Sequence, residues 1–339
     1  MKFILFCNLP YSFAILETLE SQIKLRGYQY IWYIPKELED NISYEYYTSD
    51  IKKLKKYQAD VIFVAGNEVP HYLRGVKTQI FHGLAGEKKG HFRIRDYFDL
   101  YLTQGRYFTD RFNQLRDKYK NFEVVETGWC KLDNLYTNDK DILKHNLLKE
   151  HKASKLVLYA PTFSPSLTSG DKLIDVINSL SQKSNILLII KFHDKMDRDI
   201  VEKYLKLESK NLIIWTQSDI TPLLKISDIM ISDTSSVVYE FILLNKPVVT
   251  LNSSSDNINW VDVDKASKVE DEVLNLLNGD DKFQSQRENI IELYHPYNDG
   301  QSASRMIDAV ENYIKEFGVP QKRKLPFLRR VKIWKRYGF

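Results

Sequence analysis

Apolar residues fall along this chain in short uninterrupted runs, separated by longer segments in which they return every three or four positions. An apolar run too short for a helix suits a strand covered on both faces. Residues 3–6, 30–34, 60–65, 79–82, 100–103 and 124–128 therefore read as buried strands in the first half. Helical spacing lies between them, at 12–25 and 106–118. Beyond residue 150 the alternation returns, with strands expected at 156–160, 185–192, 212–216, 229–232 and 248–251. Helices are expected there at 173–181, 197–207, 222–226, 237–244, 269–277 and 303–317. Strand and helix in strict alternation specify parallel sheets. The fold class is α/β, with two Rossmann-like doubly wound domains facing across a cleft. The polar stretch 136–154 divides them, giving domains at 1–150 and 151–318 and a tail at 319–339. Sheets of this kind bind ligands beyond the carboxyl ends of their strands.

The bulk properties narrow this picture. A chain of 339 residues with 43% hydrophobic and 28% charged positions has the composition of a globular protein of two ordinary domains. No run reaches the roughly 18 to 20 apolar residues of a spanning helix. Two cysteines make no disulfide framework, so a cytoplasmic location is expected. The net charge of +4 is unevenly placed: residues 321–339 hold eight Lys and Arg and no acid, which leaves the rest at −4. A mildly acidic body argues against nucleic acid as a partner. In the tail, Leu328, Val331 and Trp334 recur at helical spacing among the cations. That pattern fits a helix lying on an anionic membrane, each cation near the surface contributing about 1 kcal/mol.

The candidate chemistry sits where strands should end. The segment 229–250 reads as a strand, a turn of small hydroxylated residues, a short helix and a second strand. Unpaired N–H groups at such a helix start suit a phosphate, and Asp233, Thr234, Ser235 and Ser236 supply capping oxygens and donors. His82, followed by Gly83 and the pair Lys88 and Lys89, ends another strand. It reads either as a general base or as a histidine that only ties its loop. His193 follows the apolar strand at 185–192, with the same two readings open. His71, His91, His145 and His151 fall at no metal-ligand spacing, so no metal site is expected. Neither a Walker-type loop nor a G-x-G-x-x-G fingerprint is present.

In this order the elements resemble the CDP-glycerol glycerophosphotransferase family of teichoic acid and capsule synthesis. The likeness rests on His82-Gly83 with Lys88, Lys89 and Gly90; on 128–133; on Ala160-Pro161-Thr162; on Lys191-Phe192-His193; on 232–236; and on 298–305. It implies a GT-B architecture whose second domain binds the donor nucleotide. It implies His82 as the base on the acceptor hydroxyl and His193 as the partner of the donor diphosphate. Lys191, Pro161, Thr162, Asp233, Thr234, Ser235, Ser236 and Glu240 would bind the donor, and Gly83, Lys88 and Lys89 would lie on the acceptor side. The implied reaction is attack of a glycan or lipid-linked hydroxyl on a CDP-polyol, releasing CMP, with no cofactor. It would run at the inner face of the cell membrane. Asp194 stands where the family has proline, Leu84 and Ala85 where it has Thr-Pro, Phe163 where an arginine is common and Lys131 for another arginine. These departures sit around the substrate and leave open a different donor, for example CDP-ribitol or a sugar nucleotide. A GT-B glycosyltransferase, a sugar-nucleotide epimerase and a non-catalytic relative are the other readings.

Overall fold

The computed structural model describes residues 1–39, 44–84, 90–136, 142–207, 209–217, 219–255 and 258–338. It forms two compact units. The first joins Met1–Tyr136 to Leu293–Phe339, and the second is Thr137–Glu292. The expected boundaries at 150 and 318 therefore shift. The last helices return to the first unit, and residues 319–339 are part of its folded body instead of a separate tail.

The first unit is built on a parallel sheet of β1 (Lys2–Phe6), β2 (Gln29–Tyr33), β3 (Tyr47–Thr48), β4 (Val61–Val64), β5 (Val76–Gln79), β6 (Leu100–Thr103) and β7 (Glu123–Glu126). Their spatial order is β3-β2-β1-β4-β5-β6-β7. The order reverses between β1 and β4, and such a switch point is where loops part to leave a crevice. In the second unit β8 (Lys155–Tyr159), β9 (Ile186–Ile190), β10 (Leu212–Ile214), β11 (Ile229–Ser232), β12 (Val248–Leu251) and β13 (Val261–Val263) pair in the order β10-β9-β8-β11-β12-β13. Its switch point lies between β8 and β11. All pairings are parallel, and β9 is buried at every residue, as its unbroken apolar sequence requires.

The strand expected at 79–82 lies instead at Val76–Gln79. Its polar composition hid it, because Lys77, Thr78 and Gln79 are all buried. The Lys77 ammonium donates to the carbonyls of Leu73 (2.8 Å) and Gly75 (3.1 Å), which replaces the water it loses. Burial still pushes its pKa down to about 8.

Two distant sequence elements meet in the first unit. The buried carboxylate of Asp133 accepts from the backbone N–H groups of Ser302 (3.0 Å) and Ala303 (2.8 Å), the first donors of the helix Ser302–Phe317. Asp133 thus caps this helix, not the serines beside it. Gly128 lies against the same helix start with φ at +83°, and a Cβ there would come within 2.5 Å of Ser302 Oγ. His295 accepts from the Trp129 N–H through Nε2 (2.9 Å), and burial pushes its pKa down to about 4. It serves as a neutral structural acceptor.

The terminal segment closes the first unit. Ile333 is fully buried and Leu325 nearly so, and the Tyr337 ring packs edge-on against Phe6 at 5.7 Å. Arg323 donates to Asp99 Oδ1 (2.5 Å) and to the carbonyls of Asp96 (2.5 Å) and Asn121 (2.8 Å). Lys332 (2.6 Å) and Arg336 both pair with the buried Glu68. The expected apolar stripe is split: Leu328 is exposed with Phe327, whereas Val331 and Trp334 are half-buried.

Candidate active site

In the second unit, hydrogen bonds tie the loop after β8 to the turn after β11, and a ring contact sets the loop after β9 against the loop after β8. Asp233 follows β11 and is fully buried. Its carboxylate accepts from the N–H groups of Thr162 (2.9 Å) and Ser169 (2.8 Å) and from the Ser169 hydroxyl (2.8 Å). The loop after β8 is therefore pinned to the turn after β11, across the switch point. Ser232 adds a bond to the Ala160 carbonyl at 2.7 Å. Burial raises the Asp233 pKa, and the three donors oppose that shift. The sequence expectation that Asp233 caps the following helix is corrected: its oxygens face the neighbouring loop. Replacing Asp233 by asparagine swaps one acceptor for a donor facing Ser169. It is expected to cost the second unit about 2 kcal/mol in urea unfolding, as for a buried bond left unmade.

The hydroxyl turn carries the remaining polar groups. Thr234 Oγ1 accepts from the Ser254 N–H (2.9 Å), joining the turn to the loop after β12. Ser235 Oγ accepts weakly from Val237 N–H at 3.4 Å. Ser236 is exposed and makes no side-chain cap. The helix that follows, Val237–Ile242, spans only six residues, so individual hydroxyl and N–H donors matter here more than a helix dipole. Glu240 lies in this helix and is buried.

His193 lies beyond β9 and is exposed. The Phe163 ring of the pinned loop lies 4.3 Å from it, centre to centre. Its Nδ1 accepts from the Lys195 N–H at 3.1 Å, which assigns the proton of the neutral ring to Nε2. Partial burial lowers its pKa, Asp194 opposes this, and Lys195 and Lys191 add to the lowering. At neutral pH the ring is an uncharged N–H donor. Lys191 is buried, its ammonium donating to the Phe192 carbonyl (2.8 Å) and lying 3.7 Å from Asp194. Pro161 is buried and Thr162 half-buried in the pinned loop.

In the first unit, His82 lies three residues past β5. Phe81 before it takes a left-handed φ of +61°, which turns the chain at the strand end. His82 Nδ1 is 3.0 Å from the carbonyl of Ala65, just past β4. A carbonyl can only accept, so Nδ1 carries the proton and Nε2 is the basic nitrogen. The ring stacks on Tyr11 at 4.8 Å, and Tyr11 belongs to the loop after β1. His82 thus sits at the switch point of this sheet with its tautomer fixed. Gly83 accepts from Gln104 Nε2 at 3.3 Å. Lys88 and Lys89 lie outside the described residues.

Three residues of this geometry escape a sequence reading. Tyr11 and Phe163 are ordinary loop aromatics until the fold sets them against the two histidines. The Ala65 carbonyl, which sets the His82 tautomer, has no side-chain signature. Among the described residues, no three His, Cys, Asp or Glu side chains gather as a metal site. No helix among them is long and apolar enough to cross a membrane.

Comparison with known proteins places these features in context. Residues 75–260, more than half of the chain, match the model of the CDP-glycerol:poly(glycerophosphate) glycerophosphotransferase family. The segment contains His82, His193 and the 232–236 turn. The chain is 26% identical over 281 residues to the teichoic acid poly(glycerol phosphate) polymerase of Bacillus spizizenii, covering 70% of this chain and 68% of that one. The solved wall teichoic acid polymerase TagF superposes with a TM-score of 0.64 at 17% identity, over 93% of this chain and 89% of that one. A single-substitution variant of TagF has also been solved after a soak with CDPG. A putative UDP-N-acetylglucosamine 2-epimerase from Listeria monocytogenes superposes at 0.68 with 13% identity, over 93% of this chain and 97% of that one. At these identities the structural likenesses speak for the fold alone. They bear out an α/β architecture of two Rossmann-like parallel sheets of the GT-B type.

Proposed function

The chain belongs to the CDP-glycerol:poly(glycerophosphate) glycerophosphotransferase family, and from that premise we propose that it transfers glycerol phosphate from CDP-glycerol to a hydroxyl of a glycan or lipid-linked acceptor, releasing CMP. The observation that carries the reading is His82, whose Nδ1–H is committed to Ala65 so that Nε2 is left as the base. Nε2 takes the proton of the acceptor hydroxyl as its oxygen bonds to the distal phosphorus of the donor. The phosphoanhydride bond breaks and CMP departs with the bridging oxygen. Such a transfer is driven by positioning and by donors aimed at the phosphoryl oxygens. In the second unit, His193 Nε2–H, the hydroxyls of Ser235 and Ser236 and the turn's N–H groups serve as those donors. Asp233 and Thr162 hold the loops that carry them, and Lys191, Pro161, Thr234 and Glu240 shape the same strand ends.

Incubating the protein with CDP-glycerol, CDP-ribitol and UDP-N-acetylglucosamine, each with a short glycerol phosphate acceptor, tests the reading. CMP release dependent on CDP-glycerol and acceptor is the expected result. Turnover of the UDP-sugar alone would replace it with the glycosyltransferase or epimerase alternative, and CDP-ribitol preference would revise the polyol.

The reading extends to an anionic membrane as the acceptor's location, at the cytoplasmic face and in teichoic or capsule synthesis. Phe327 and Leu328 are 67% and 82% exposed, among Lys322, Lys324 and Arg329. Changing both Phe327 and Leu328 to serine is expected to weaken sedimentation with anionic liposomes several-fold without changing the thermal midpoint. Unchanged sedimentation would remove the membrane from the proposal.

A further inference from the structure

The first unit contains a cavity of about 460 Å³ at the carboxyl edge of its sheet. This is within the range of small-ligand sites, about 300–1,000 Å³. Its walls come from the segments after β1, β2 and β3 and from the terminal helix Phe327–Tyr337. Asn8, Tyr33, Lys36, Glu37, Arg336 and Tyr337 give it its polar character. The loop after β1 is shared: Asn8 lines the cavity, and Tyr11, three residues on, stacks against His82. Cavity and candidate base thus occupy one edge of one sheet, joined by a single short loop.

The side chains restrict what the cavity accepts. Tyr33 stacks on Phe6 at 4.5 Å, and Tyr337 packs edge-on against both rings at 5.7 and 6.2 Å. These rings pack against one another. Their hydroxyls remain protonated at neutral pH, since burial pushes the phenol pKa of Tyr33 far up and that of Tyr337 to about 12. Asn8 donates to the Tyr337 hydroxyl through Nδ2 (3.3 Å), which fixes the floor. Lys36 is exposed at the rim and has no ion-pair partner among the described residues. Arg336 spends one nitrogen on Glu68 and keeps further N–H donors. With Lys332, Glu68 and Glu37 included, the local charge is +1. Cations together with a carboxylate and hydroxyls suit an anion that also bears hydroxyl groups.

We propose that this cavity binds a glycerol phosphate group, with the phosphate toward Lys36 and Arg336 and the hydroxyls toward Glu37 and the floor. The assignment deepens the transferase reading above and rests on it, because the group is a unit of the acceptor held one loop away from the base. The same chemistry is offered by an acceptor chain of glycerol phosphate diesters and by a phosphatidylglycerol headgroup.

The test measures binding without any donor, so it is independent of CDP-glycerol turnover. The full chain is titrated calorimetrically with bis(glycerol) phosphate at low ionic strength and, separately, sedimented with phosphatidylglycerol vesicles. Lys36→Ala is compared with wild type and with Lys315→Ala, an exposed cation of the helix Ser302–Phe317. A roughly tenfold loss confined to Lys36→Ala in the soluble arm assigns the site to the acceptor chain. The same loss in the vesicle arm alone assigns it to the lipid headgroup. Binding in both arms that is indifferent to Lys36 overturns the site, even if the wild-type enzyme turns over CDP-glycerol. Failure of that turnover with a Lys36-dependent titration would instead reject the transferase reading and keep the site.

Discussion

Replacing His82 with asparagine is expected to lower acceptor-dependent CMP release by roughly 10²- to 10⁴-fold, the usual contribution of a general base. Asparagine is the informative substitution because its side-chain N–H₂ can reach the position of Nδ1. The bond to the Ala65 carbonyl, 3.0 Å in the native protein, then survives while the basic Nε2 is lost. A histidine whose work is to tie its loop to β4 would tolerate this exchange, and turnover would remain near the wild-type rate. A histidine acting as a base would not. His193 calls for the opposite design. Its Nδ1 is occupied by the Lys195 N–H, and its pKa is held below the usual range, so it acts as an uncharged donor through Nε2. Glutamine can place an N–H near Nε2, and His193→Gln is expected to retain more activity than His193→Ala. Equal losses in the two variants would show that a positive charge, not a donor, is required there. Circular dichroism and the thermal midpoint of each variant separate these outcomes from unfolding.

The alternation of apolar runs and helical spacing was enough to read parallel sheets in two units, because strands buried on both faces advertise themselves by composition alone. It failed at β5, where a buried lysine finds its partners in the carbonyls of its own chain. It also failed at β3 and β13, which have only two and three residues and no periodicity to read. The positions of His82 and His193 near strand ends were legible from the same pattern. Their protonation geometry was not, because it depends on Ala65 and on a backbone N–H, which have no side-chain identity. The expected division at residue 318 failed for a related reason. The polar stretch 136–154 marks a real discontinuity, but the return of the chain to the first unit is fixed by Asp133 on Ser302 and Ala303. A pair about 170 residues apart leaves no local trace in the sequence.

The largest stability effect is expected at Arg323. From composition, all eight terminal cations look alike, a charge run on a solvated or membrane-facing helix. The fold divides them. Lys332 and Arg336 neutralise Glu68, and Arg323 reaches 224 residues back to Asp99, with both side chains under a tenth exposed. Asp99 also accepts from the Lys77 N–H of β5 through its other oxygen (2.9 Å), and Arg323 holds two further carbonyls. Removing one member of such a buried pair leaves the other charge without compensation, at a cost of about 3–5 kcal/mol. Arg323→Ala is therefore expected to lower the thermal midpoint of the first unit by roughly 10 °C. Lys335→Ala, at an exposed position of the same segment, should leave it unchanged. Deleting residues 321–339 removes the pair together with Ile333 and Tyr337 from the core. It should therefore destabilise the unit at least as much, instead of releasing an inert tail. The double variant Arg323→Met with Asp99→Asn discriminates the cause. If the penalty is the uncompensated Asp99 charge, the double variant recovers part of the loss. If it is the lost bonds to Asp96 and Asn121, it does not. A midpoint for Arg323→Ala within a degree or two of wild type would mean that the Arg323–Asp99 pair contributes little to the first unit's stability.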